Sequence, residues 1–113
     1  MGLSVQEKKL QMTEAQAQSL LAMLARYLPQ LQVWAFGSRV KGTARASSDL
    51  DLVLFAEDAD KPQLALLREA LEESQLPFSV DTLVWKDISP EFQTHIASNF
   101  IELQKATPVK AKP

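Results

Sequence analysis

The chain has no cysteine, which excludes a disulfide scaffold and any thiolate metal site, and fits a reducing, cytoplasmic setting. Long hydrophobic runs are missing too: no apolar stretch approaches a membrane span or the core of a signal peptide. The start MGLSVQ lacks the Ser or Thr that a myristoylation signal wants at position six. Excess basic charge is also absent. A formal net charge of −2 argues against broad electrostatic adhesion to nucleic acid, which needs a net basic face. There is no internal repeat and no linker. What remains is 113 residues, 46% hydrophobic and 23% charged, the composition of one soluble globular domain with a modest core.

The pattern along the chain predicts an α/β (α+β) domain, a small mixed sheet of three to four strands packed with helices, over residues 12–104. Residues 1–11 read as a loose arm and 105–113 as a disordered basic tail. Thr13 with Gln16 three residues on is a capping-box signature, and Leu20, Leu21, Leu24 and Leu28 follow at helical spacing before Pro29. Residues 33–36 read as a first strand, ended by Gly37-Ser38, where a short helix starts and runs toward Gly42. Residues 50–55 form the second strand, and a helix follows from Asp60 and Pro62 to near Gln75, with Leu64, Leu67 and Leu71 buried. Residues 78–85 alternate as a third strand. Ser89-Pro90 opens a last helix whose stripe is Phe92, Ile96 and Phe100.

One stretch carries chemistry: GSRVKGTARASSDLDL, residues 37–52. On a strand Asp49, Asp51 and Val53 share one face and Leu50, Leu52 and Leu54 the other. That puts the two carboxylates about 6.6 Å apart at Cα. Close carboxylates repel unless a cation lies between them, and an oxygen-only donor set suits magnesium. Asp81 interrupts the third strand where a valine would otherwise fit. If the two strands are neighbours, it adds the third carboxylate of a two-metal site for phosphoryl transfer. In the other half, Gly37 permits close backbone approach, a helix starting at Ser38 aims N–H groups at an anion, and Arg39, Lys41 and Arg45 are cations within reach of a phosphate tail. The bland alternatives are a solvated strand face for the aspartates and a plain helix cap for Ser38, and the joint spacing weighs against the first. His95 reads as a surface or boundary residue rather than a general base. Trp34 and Trp85 read as core rather than as base-stacking platforms.

Gly-Ser, ten residues, Asp-x-Asp, and a later lone Asp on a β-run together resemble the DNA polymerase β-type nucleotidyltransferase superfamily. More narrowly, WAFGSRVKGTARASSDLDLVLF resembles the minimal nucleotidyltransferases, short proteins that keep the catalytic core without a fused substrate-binding domain. The resemblance implies that Gly37 and Ser38 hold the triphosphate, with Ser38 toward the β- and γ-phosphates. It also implies that Asp49 and Asp51 bridge two magnesium ions, and that Asp81 binds the catalytic metal and helps deprotonate the incoming hydroxyl. Lys41 stands where many relatives have arginine, so a bidentate grip becomes a point-charge contact. The implied reaction moves a nucleoside monophosphate, AMP from ATP by analogy, to an acceptor hydroxyl with release of pyrophosphate. Family members of this size work beside a small helical partner, which is either a substrate-binding subunit or a HEPN toxin. In the second case the enzyme is an antitoxin that adenylylates a tyrosine of the toxin. The reading from another class is a non-catalytic module that masks its partner by contact.

Overall fold

Thr13 starts the first helix as its side chain dictates. In the structure, a computed structural model that describes residues 10–107, the Thr13 hydroxyl accepts from Gln16 N at 3.1 Å while Gln16 Oε1 accepts from Thr13 N at 3.0 Å. Two N–H groups that a helix start leaves without partners are thus satisfied reciprocally. Helix α1 runs Glu14–Tyr27 and buries Ala17, Leu20 and Leu24 along one stripe. Strand β1 (Val33–Phe36) leads into a single-turn helix α2 (Ser38–Lys41), bounded by Gly37 and Gly42, the latter a left-handed C-cap at φ 82°. Strand β2 is Leu50–Leu54, helix α3 is Lys61–Glu72 with Leu64, Leu67 and Leu71 buried, and β3 is Val80–Val84. Helix α4 is Pro90–Ala97, its start capped by the Ser89 hydroxyl, and β4 is Ile101–Gln104. Short 3₁₀ turns at Asp58–Asp60 and Trp85–Asp87 complete the chain.

The strands form one sheet in the order β3-β2-β1-β4. β1 pairs antiparallel with both β2 and β4, while β2 and β3, joined through α3, run parallel. Alternation sorts each strand onto two faces. Val33, Ala35, Leu50, Leu52 and Leu54 point to the layer of α1 and α3, where they join Leu20, Leu24, Leu28 and Leu67 in the main core. Trp34, Phe36, Val53, Phe55, Leu83 and Trp85 line the opposite face under α4, with Ile96 and Phe92. Leu24 is fully buried in the main core. Its truncation to alanine is expected to cost about 2–5 kcal/mol, read as a lower urea midpoint; a cost under about 1 kcal/mol would show that this core can collapse around the gap.

Three expectations need correction. The stripe Phe92, Ile96, Phe100 does not extend one helix, because α4 ends at Ala97 and the Ser98 hydroxyl turns back to His95 O at 2.6 Å. Phe100 leaves the helix and stacks on Trp34, centroids 3.8 Å apart, and the next four residues are the fourth strand. The arm is not loose at its end: Leu10 is buried and Gln11 N donates to Arg39 O at 2.8 Å. Residues 1–9 lie outside the described residues. The tail does not begin at 105 as free chain, since Thr107 N donates to Gln30 O at 3.0 Å; residues 108–113 lie outside the described residues. Smaller shifts follow the same logic. Helix α3 stops at Glu72 rather than near Gln75, and Asp60 uses its carboxylate to cap Glu57 N at 2.8 Å instead of α3. Among the described residues no helix is long and apolar enough to cross a membrane.

Candidate active site

The site forms at the end of the sheet where β1 stops and β2 begins. Phe36 is the register partner of Asp51, so the residue after it, Gly37, turns directly over that carboxylate. Gly37 has φ 88°, a conformation that side chains rarely adopt. A Cβ there would fall inside the van der Waals shell of Asp51 Oδ2. The absent side chain is therefore what lets the carboxylate lie against the turn. Helix α2 then begins at Ser38, and its single turn closes through Lys41 N to Gly37 O and Gly42 N to Ser38 O, each at 3.0 Å. Ser38 is half-buried at the start of that turn, and Lys41 is exposed at its end.

The parallel pairing of β2 and β3 supplies the third acid. Asp51 and Asp81 are register partners, and the pairing is seated by Leu50 N donating to Ser79 O at 2.9 Å. The alternation read from sequence thus places Asp51 and Asp81 on one face, with Asp49 just before the strand. Asp49 and Asp81 are exposed and Asp51 is half-buried. Burial raises the Asp51 carboxyl above the usual carboxylate value, and the charges of Asp81 and Asp49 raise it further. Asp51 thus feels both other acids.

Among the described residues no three carboxylate, histidine or cysteine side chains are arranged, as they stand, to hold a metal ion. The donor chemistry still fits magnesium. All three groups offer oxygen only, and a bound cation would offset both the burial and the neighbouring charges that raise Asp51. Of the remaining candidates, Arg39 must be withdrawn as a phosphate contact. It is buried, and its guanidinium donates to main-chain carbonyls of Gln11, Arg45, Ala46 and Ser48. Local sequence offered no sign of this, since the carbonyls come from segments that only the fold brings together. His95 is exposed, stacked on Phe92. Trp34 and Trp85 belong to the aromatic cluster under α4. A cavity of about 520 Å³ opens between Gln11–Gln16, Arg45–Ser47 and Phe78, and none of the three aspartates lines it. Asp49 and Asp81 face solvent.

A family description, "Polymerase beta, Nucleotidyltransferase", matches residues 18–106. The chain is 40% identical over 92 residues to the Haemophilus influenzae protein named "Probable protein adenylyltransferase MntA", covering 80% of this chain and 81% of that one. Among solved structures, a minimal nucleotidyltransferase is 30% identical with a TM-score of 0.61, over 77% of this chain and 88% of that one. A toxin–antitoxin complex with AMP-PNP contains a chain 18% identical with a TM-score of 0.58, over 80% and 74%. At that identity the last likeness is one of fold.

Proposed function

The chain belongs to the polymerase β nucleotidyltransferase family, and from that premise we propose that it transfers AMP from ATP to a hydroxyl on a separate protein partner. Nucleotidyl transfer as such follows from the family and from its relative; donor, metal and acceptor are our reading. The observation that carries it is the contact of Gly37 with Asp51, which is in turn paired with Asp81. Phosphate-binding turn and acids share one spot, as transfer of a phosphoryl group requires. Asp49, Asp51 and Asp81 would hold magnesium, which when bound neutralises charge on the triphosphate and lowers the pKa of the attacking hydroxyl. Gly37 and Ser38 orient the triphosphate. Asp81, exposed on the edge strand, takes the acceptor proton. The acceptor oxygen then bonds to the α-phosphorus, the bond from that phosphorus to the bridging oxygen breaks, and pyrophosphate leaves.

A protein acceptor is favoured over a small molecule by two things: Asp49 and Asp81 are exposed and none of the three acids lines the cavity beside Phe78, and the 40%-identical relative is named for protein adenylylation. The partner supported by the family resemblance is a small helical HEPN toxin, modified on a tyrosine, which makes this chain the antitoxin. Incubating the chain with such a partner, magnesium and α-labelled ATP should label the partner and release pyrophosphate. No label on any partner, with no binding of magnesium–ATP, overturns the proposal. Partner neutralisation that survives the double change Asp49→Ala and Asp51→Ala would instead make the chain a mask that acts by contact.

A further inference from the structure

Arg39 is the only buried charged side chain among the described residues, 4% exposed. Burying a guanidinium is costly unless its N–H groups find partners. Here Nε and Nη2 both donate to Ser48 O, at 3.1 and 2.9 Å; Nη2 also reaches Ala46 O at 3.0 Å and Arg45 O at 3.3 Å, and Nη1 donates to Gln11 O at 2.7 Å. The acceptors are all main-chain carbonyls. The guanidinium carbon lies over the Phe78 ring, 4.0 Å from its centroid.

The location of these partners is what matters. Arg39 follows Ser38 in the phosphate-binding turn, and its side chain grips the peptide that joins Ser48 to Asp49. Phe78 stands three residues before Asp81. One side chain therefore touches the chain next to each part of the site. The loop has little else to hold it: Arg45, Ala46 and Ser47 are exposed and bury little apolar area, and its own bonds are one turn, Arg45 N to Ser48 Oγ at 2.8 Å and Ser48 N to Arg45 O at 3.0 Å. Gln11 braces the same loop from the other side, with Nε2 donating to Ala44 O at 2.8 Å and Oε1 accepting from Ala44 N at 3.1 Å.

We infer that Arg39 is a positioning residue that sets the spacing between the Gly37–Ser38 turn and the Asp49/Asp51 pair, with Gln11 as its brace. This rests on the nucleotidyl-transfer reading above. An arginine is required because one planar fork must serve several carbonyls while stacking on a ring; a lysine ammonium is a point charge and does neither.

The test compares wild type, Arg39→Lys and Gln11→Ala in three readouts: magnesium binding in the presence of ATP by calorimetry, kcat and KM for AMP transfer, and amide hydrogen exchange over residues 43–51. Arg39→Lys should weaken magnesium binding about 10- to 100-fold, as loss of a support behind metal ligands does. The kcat should fall with KM for ATP changing less, and exchange in the loop should quicken while that of β1 does not. Gln11→Ala should move the same readouts the same way by less, and it decides the matter if Arg39→Lys does not fold. Folded variants with wild-type magnesium affinity and wild-type loop exchange overturn the inference. If wild type itself binds no magnesium–ATP, the functional reading fails, and loop exchange alone still decides whether Arg39 and Gln11 hold the loop.

Discussion

Asp51→Asn is expected to abolish AMP transfer and at the same time raise the melting temperature of the free protein. The first half follows from the proposed role of Asp51 as a metal ligand, lying against the Gly37 turn and in register with Asp81. Removing one electrostatic contact to a transition state typically costs about 100- to 1,000-fold, and a shared metal ligand should cost at least that. The second half follows from the raised pKa of Asp51, caused by burial and by the charges of Asp81 and Asp49. An acid with a raised pKa in the folded state binds its proton more tightly there than in the unfolded chain. Below the ordinary value of 3.8 both states are protonated and the group contributes no penalty. As pH rises through the interval up to the raised value, wild type loses stability, and above it the deficit is constant. Asparagine never ionises, so its advantage in melting temperature should grow from acid to neutral pH and then level off. Saturating magnesium–ATP should reverse the order, since a ligand at 100 times its Kd adds about 2.7 kcal/mol to the form that binds it. A variant that melts below wild type at neutral pH without ligand would show that Asp51 is a structural acid and not a functional one.

Gly37→Ala should be nearly as damaging, for a steric reason. Alanine at φ 88° carries a backbone penalty of about 1–3 kcal/mol. Its methyl group also competes with Asp51 Oδ2 for the same space, so the carboxylate must move. A displacement near 1 Å is enough to cost about 100-fold in rate. Gly42 is a control for positive φ without the collision. It has a similar φ of 82° but nothing within 4 Å of an added Cβ. Gly42→Ala should therefore lose stability alone, and the difference in kcat between the two variants reports the collision with Asp51 together with the harsher backbone at Gly37, where ψ is −157° against 17° at Gly42. Equal kcat in both would mean that the turn and the carboxylate do not have to touch.

Where one strand's alternation fixed both faces, the sequence was enough. Leu50, Leu52 and Leu54 against Asp49, Asp51 and Val53 mark the second strand and sort its two faces, and Asp81 stands out because it breaks an apolar run. The fourth strand was hidden by coincidence: Phe100 falls four residues after Ile96 and so mimics the next helical turn, whereas its actual partner is Trp34 across the sheet. Arg39 was misread for a deeper reason. In the string GSRVK it looks like a solvated cation beside a phosphate turn, and the residues that desolvate it, Gln11, Ser48 and Phe78, are 28, 9 and 39 positions away in the sequence. Periodicity reports which face a residue occupies but not which distant carbonyls will meet it there.

The two faces of β2 also guard one another. Sliding this strand by one position against β1 would drive Asp51 in among Leu20, Leu24 and Leu67, and take Leu52 out of that core to the face under α4. Each error would carry the cost of a buried, unpaired charge together with a lost core residue. The leucines lie on the face opposite the acids, yet they make a misaligned copy of this strand too unstable to accumulate. Chains that reach the folded state therefore reach it with their acids facing the right way, and core quality in this protein is also a form of catalytic fidelity.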